Sequence, residues 1–360
     1  MGNNYTNRLL FIALFGLFIV TTGRTQDARF AQFYATPLQV NPALTGVMNG
    51  QTRLIANYRN LYSSVLGTED AFKTLAASAD IRRPVGKGNF YGLGLSVMRD
   101  QAGVSRFTRS QMAVSGSYQQ QLGGSRYSKS ANFLVAGAQL GFGQRGFDFE
   151  KLWFSNQFFV DNVTREAYID MAAAPGEDFP SMNTGLYANF NAGLLWYASF
   201  DDNTSIYVGG SAHHLNEPNI SLLPDAEDKL FRKYVVHAGG ELPLGRKSGF
   251  SLLPAAIVMS QGPAFSAMAG ANVRYTQREW KEVALRIGAW SHLSNRLEST
   301  SMDAVTVSVI LETERLQFGV SYDLTVSDLA VSNNSRGAFE MSVMYVAPAK
   351  YRSRVECPKF

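Results

Sequence analysis

The sequence predicts an all-β fold: a single transmembrane antiparallel β-barrel of the outer-membrane type, with about 14 strands. Three observations carry this. The chain opens with an export leader. No later apolar stretch reaches the roughly 18 residues that a spanning helix needs. The remainder breaks into segments of about ten residues that alternate apolar with polar, rich in Gly, Phe and Tyr.

The leader is residues 1–25. Arg8 supplies its positive charge, and Leu9–Val20 is an apolar run too short for a span. The small residues Thr21, Thr22, Gly23 and Thr25 place cleavage near Thr25/Gln26. No Cys follows the run, so this is not a lipoprotein leader. An anchor helix is the alternative. Removing Arg8 and Arg24 with the leader leaves 31 basic against 29 acidic residues. So even a balance gives no argument for a nucleic-acid partner. The single Cys, Cys357, has no internal disulfide partner.

Residues 26–50 read as an N-terminal periplasmic strap or plug. Pro37 and Pro42 remove backbone donors and favour irregular geometry, and Asn41-Pro42 suits a turn. Phe30, Phe33, Tyr34 and Leu38 are apolar enough to pack. The strap is expected at or inside the periplasmic mouth, either bracing the barrel or contacting periplasmic machinery.

The barrel is residues 51–347. Strands are expected at Thr52–Arg59, Phe72–Arg82, Phe90–Asp100, Ser110–Leu122, Asn132–Gln144, Gly185–Ser199 and Ser205–His214. The other seven are Tyr234–Leu242, Phe250–Ser260, Phe265–Tyr275, Glu282–Ser291, Asp303–Glu312, Leu316–Thr325 and Ala338–Val346. Within Leu316–Thr325, Leu316, Phe318, Val320, Tyr322 and Leu324 share one face, and Gln317, Gly319, Ser321 and Asp323 the other. A soluble sandwich also alternates. Aromatics at strand ends (Tyr58, Tyr91, Tyr118, Tyr197, Tyr275, Tyr322 and Tyr345) favour membrane girdles. A periplasmic tail, residues 348–360, closes the chain.

Connection lengths sort by parity. Arg145–Thr184, Leu215–Lys233, His292–Met302 and Val326–Gly337 are long and fall outside, whereas Phe200–Thr204, Thr276–Lys281 and Thr313–Arg315 are tight and fall inside. Gln261–Ala264 is a short external exception. The periplasmic turns are basic, and Arg83, Lys87, Arg246, Lys247 and Arg278 are candidate docking residues for an acidic partner. Solvated turn charges are the plainer reading. The long external loops are acidic.

Lumen candidates are Arg53, Asn57, Arg59, Asp80, Arg82, Glu241, Arg286, Asp323 and Glu340, whose opposite charges would pair to hold a constriction or plug. His213 and His214, as neighbours on a strand, are expected on opposite faces. His237 and His292 stand apart, and no spacing completes a metal-ligand set. Gly86-x-Gly88 and Gly92-x-Gly94 do not precede a helix, so no phosphate cradle is expected. Asn162-x-Thr164 and Asn219-x-Ser221 match a glycan acceptor only formally. No nucleophile elbow or Ser-His-Asp order is present, so no catalytic residue, cofactor or metal is expected.

Five motifs now stand in order. Gln26, Asp27, Phe30, Gln32, Pro37, Asn41, Pro42, Ala43 and Gly46 fit Q-D-x-x-F-x-Q-x(4)-P-x(3)-N-P-A-x-x-G. Tyr58-Arg59-Asn60 gives Y-R-N. Gly210-Ser211 with His214-Leu215 and Pro218 follows. Gly319-Val320-Ser321-Tyr322-Asp323 and Cys357-Pro358-Lys359-Phe360 complete the set. The chain resembles the PorP/SprF family of outer-membrane proteins, associated with type IX secretion and gliding motility. Leu61-Tyr62 depart from the family's usual Gln-Trp. The resemblance implies a non-enzymatic barrel that anchors or assists export and surface attachment of a secreted partner, an adhesin bound through its C-terminal domain. It also implies contact with periplasmic components of that machine and with outer-membrane lipid. A passive pore for small solutes and a soluble periplasmic β-domain are the alternatives.

Overall fold

In a computed structural model of the protein, the described residues are 27–349 and 357–358. Excepted are positions 87, 125–129, 162, 175, 177–182, 202, 224–225, 246–248, 277–282 and 296–299. The expected leader and its cleavage site lie outside the described residues.

Each alternating segment forms a strand. They are β1 (Thr52–Leu61), β2 (Phe72–Val85), β3 (Asn89–Ala102), β4 (Phe107–Gly124), β5 (Ala131–Gly146), β6 (Tyr187–Asp201) and β7 (Thr204–His213). They continue as β8 (Lys233–Pro243), β9 (Phe250–Gln261), β10 (Ala264–Thr276), β11 (Ala284–Asn295), β12 (Thr300–Glu312), β13 (Leu316–Thr325) and β14 (Arg336–Ala347). Every neighbour pairs antiparallel, and β1 closes on β14 with Thr52 opposite Ala347 and Leu61 opposite Ala338. Closure leaves no unpaired edge, which is what a sheet in hydrocarbon requires. The end at Thr52 and Ala347 is called here the near mouth, and the opposite end the far mouth.

The polarity is inverted relative to a soluble protein. Leu54, Leu75, Leu93, Val114, Leu194, Val236, Ile287, Val309 and Val320 are exposed on the outside. Arg53, Asp80, Arg82, Glu241, Arg286, Asp323 and Glu340 are buried inside. A period of two puts alternate residues on opposite faces, so one pattern supplies both surfaces.

Two expectations change. Tyr197 does not join an outer girdle: it is fully buried and stacks on Phe133 with ring centroids 5.0 Å apart. Its strand turns odd-numbered residues inward from Tyr187 on. The segment His292–Met302 is not a long loop, because β11 and β12 stay paired as far as Asn295 and Thr300. Their rim residues are polar, so the ladder continues past the apolar band. The far mouth therefore mixes short connections (residues 103–106, 262–263 and 296–299) with the long ones at 147–186 and 214–232.

Val320 lies mid-strand on the outer face. Val320→Arg should lower stability by about 2–4 kcal/mol in lipid vesicles, the cost of a mid-bilayer charge on a barrel's outer face. A urea titration followed by tryptophan fluorescence measures it. An unchanged midpoint would argue against lipid contact on this face.

Candidate functional site

A strap fills the lumen. Short helical turns shape it: Phe33–Ala35, Pro37–Val40 and Pro42–Leu44. Pro37 and Pro42 each start a turn, where a missing N–H costs nothing. Asn41 is the hinge between the last two. Its backbone is extended, and its side chain accepts a hydrogen bond from Ala43 N at 2.9 Å. The same amide donates to Leu194 O (3.0 Å) and Gly210 O (3.2 Å) and meets His237 Nε2 at 3.1 Å. One strap residue thus bonds β6, β7 and β8.

The middle of the lumen is apolar. Phe33, Tyr34, Val40, Leu44 and Val47 pack with Phe90, Phe133, Leu195, Tyr207, Ile257, Trp290 and Ile310, which come from strands right around the wall. Phe33 meets Trp290 edge-on at 5.5 Å. The wall has glycine where the strap presses closest. A Cβ at Gly137 would overlap the Pro42–Ala43 peptide, and one at Gly193 would overlap the Asn41 side chain.

Charged clamps hold the strap at three levels. At the near mouth, Arg53 forms a two-point bridge to Asp80 (2.9 and 2.7 Å) and donates to Val47 O and Leu44 O. Asp80 in turn accepts from Gly46 N at 2.7 Å. Arg82 donates to Met48 O and lies over the Phe90 ring. Further up, the Glu340 carboxylate accepts from Ala31 N (2.8 Å), Gln32 N (2.9 Å) and Arg59 (2.9 Å). Arg59 also pairs with Asp323 at 2.6 Å, and Asp323 accepts from Thr306. Gln32 is tied to Ser321 and Ser342. At the far mouth, Asp27 meets Arg109 (2.5 Å), His214 (2.9 Å), Lys233 (3.4 Å) and Gln261 (3.1 Å).

The sequence places the strap at or inside the near mouth. The structure corrects its extent: Leu44–Gly50 sit there, and towards its N-terminus the strap climbs the lumen to Asp27 at the far mouth. The two His do not point to opposite faces. β7 ends at His213, and His214 takes a left-handed backbone (φ 58°) that turns its ring inward as well. His213 bonds Ser211 and Val40 O, and His292 bonds Thr306.

The five motifs converge here. Asp27 and His214 meet directly, and Gln32 meets Ser321. Arg59 meets Asp323, while Cys357 is buried near Tyr197 and exchanges hydrogen bonds with Asn49. Phe30, Pro37, Pro42, Ala43 and Gly46 are buried in the strap, and Pro358 is buried with the tail. Tyr58, Tyr322 and Leu215 face outward, Asn60 is partly exposed, and Pro218 is buried in the loop after β7. Arg286 pairs with Glu312, and Arg274 bridges Glu312 and Glu241. Asn57 is buried on the inner face of β1, and Arg83 is partly exposed at the near mouth. Gln26, Phe360, Lys87, Arg246, Lys247 and Arg278 lie outside the described residues. Arg109, Lys233, Gln261 and His237 carry no motif in the sequence. Their partners lie 82 to 234 residues away, so spacing gave no sign of them.

Two cavities of several hundred Å³ flank the strap. One of about 530 Å³ opens at the far mouth beside Arg29, Arg59, Asp100 and Asp303. One of about 450 Å³ opens at the near mouth beside Arg53, Arg274, Glu312 and Pro358. The apolar core crosses the lumen between them. Among the described residues no cluster of His, Cys, Asp or Glu could hold a metal ion.

Fold and site define a plugged β-barrel of outer-membrane type. The chain belongs to the type IX secretion system membrane protein PorP/SprF family, whose model matches residues 22–345. No curated protein matches the chain. Among solved structures it is similar to CdiB from Acinetobacter baumannii, with 7% identity over 82% of this chain and 60% of that one and a TM-score of 0.43. It thus spans less than two thirds of that protein. It is also similar to the CymD monoaromatic hydrocarbon channel (10% identity, 88% and 94% covered, TM-score 0.43). A third is the translocator domain of autotransporter NalP from Neisseria meningitidis (10%, 95% and 97%, TM-score 0.33).

Burial alone would raise the Asp27 carboxyl, but Arg109, Lys233 and His214 hold it well below the usual carboxylate range. A depressed folded value gives stability that is present above the unfolded value and lost as pH falls through the folded one. Asp27→Asn should therefore cost about 3 kcal/mol at neutral pH, where it strands Arg109. The gap to the wild type should narrow only below about pH 4. Thermal unfolding across pH measures it, and a gap constant from pH 7 to strongly acid conditions would contradict the clamp.

Proposed function

We propose that this barrel is a non-enzymatic anchor and docking component of the type IX secretion machinery. On this reading the near mouth faces the periplasm and the far mouth the cell exterior, since barrels of this type keep both termini periplasmic. The lipid-facing strands fix the complex in the outer membrane. The far vestibule and acidic loops receive a secreted, adhesin-type partner through its C-terminal domain. The basic near rim contacts periplasmic components of the machine.

The observation that carries this is the filled lumen. Lumen surfaces occupied by the strap are unavailable to cargo or solute, so binding falls to the two mouths. The same packing argues against a passive pore. A barrel of this size conducts when empty, but here an apolar core spans the gap between the vestibules.

Two outcomes are expected. Purified barrel in planar bilayers should carry no steady current at neutral pH; a stable, substrate-independent conductance would favour the pore. Deleting the gene should strip its secreted partner from the cell surface, scored by whole-cell immunoblot of surface proteins. A partner that still reaches and stays on the surface would overturn the anchor.

A further inference from the structure

The connection at residues 147–186 carries a small hairpin in which Phe158–Val160 pair with Ala167–Ile169. All six residues are exposed, so the hairpin is not packed down on the barrel. Its faces are apolar. Phe159 stacks on Tyr168 at 5.9 Å on one side, and Trp153 stacks on Phe158 at 6.4 Å on the other. Val163 at its tip is almost fully exposed. An exposed apolar patch on a polar surface marks an interaction site.

The backbone says what kind. Asp161 N bonds Glu166 O, and Asp170 N bonds Gln157 O. Hydrogen-bonded pairs alternate in an antiparallel ladder. Phe159 and Tyr168 therefore form the bonded pair between them. Val160 aims its N–H and C=O groups away from the hairpin on one edge, where the Phe158 N–H is already taken by Ser155 O; Ala167 and Ile169 do so on the other, which is the more open edge. Two strands alone are marginally stable in water, and a free edge is a template for a third.

Charge selects the occupant. Residues 147–186 hold seven Asp or Glu against two Lys or Arg. An anionic lipid surface would repel such a loop. A basic polypeptide would be drawn to it. We infer that the Phe158–Ile169 hairpin is a strand acceptor: it pairs edge-on with an extended, apolar segment of a secreted polypeptide flanked by Lys or Arg. Backbone pairing would give the affinity, and the aromatic faces and acidic surround the choice of sequence. This rests on the reading that the far mouth receives a secreted partner, and it names how that partner is held.

The test uses the purified full-length barrel and three labelled ten-residue probes: alternating Lys-Val, alternating Glu-Val, and Lys-Val with alternate amides N-methylated. Fluorescence anisotropy should show Lys-Val binding about tenfold or more tighter than either of the others. N-methylation keeps the side chains and removes only the pairing donors, so it needs no variant that might misfold. In the double variant Val160→Pro, Ile169→Pro the affinity for Lys-Val should drop about tenfold. Neither N–H belongs to the hairpin's own ladder, so the hairpin itself is retained. Equal binding of the methylated probe, equal binding of Glu-Val, or stronger binding to anionic lipid vesicles than to Lys-Val would each overturn the inference. If the gene deletion leaves the surface partner in place while these results hold, the anchor reading fails and the strand acceptor stands. If surface retention needs the barrel but Lys-Val does not pair, only this inference fails.

Discussion

The constraint behind this structure is the width of a closed sheet of fourteen strands. About eight strands give an interior that side chains can fill; sixteen or more leave a water channel. Fourteen is too wide for the wall's own residues and must be filled or left wet. This chain fills it with residues 27–50. The wall then has to satisfy a strap whose short turns leave many backbone groups without partners. Glu340 takes two strap N–H groups at once, and Asp80 takes one. Arg53 and Arg82 serve strap carbonyls. Those ions are affordable only because each is paired. Removing one partner of a buried pair typically costs about 3–5 kcal/mol, since the other charge is left stranded.

That requirement explains why separated motifs act as one object. A strap residue that bonds a strand constrains both, and the strands it reaches are spread around the wall. Asn41 needs glycine across from it at Gly193, and Pro42-Ala43 need it at Gly137. Asp27 needs cations from β4 and β8 and the turned ring of His214. None of these residues need touch a ligand to be indispensable. Their shared task is to hold the plug.

The fold was readable because membrane strands repeat with period two and the expected leader limited the compartment. Strand positions and inner and outer faces follow from that period alone. The lumen's wiring does not. Period and spacing say which side chains look inward, but not which of them meet across the lumen. Arg109 and Gln261 look like ordinary rim residues until Asp27 arrives between them. His214 escaped because one left-handed residue at a strand end reverses a face. Tyr197 escaped because an aromatic near a strand end fits a girdle and a plugged lumen equally well. The climb of the strap was hidden for a simpler reason. Its prolines announce irregular chain, and irregular chain has no periodicity from which to read a direction.

That climb has a consequence for assembly. The strap's root and the barrel's seam coincide: Gln51 N bonds Ala347 O, and the next residue pairs β1 with β14. The far end of the strap is clamped at the opposite mouth. If the seam closed first, that end would have to thread the length of the lumen to reach its clamp. A strap laid on the curling sheet before β14 meets β1 avoids that threading. Its contacts with β3 to β8 are available by then, because those strands precede the seam in the sequence. Glu340, from the last strand, can close on Ala31 and Gln32 only at the end. In that order of assembly, the seam strands β1 and β14 bring Arg59 and Glu340 together and onto the strap in a single step.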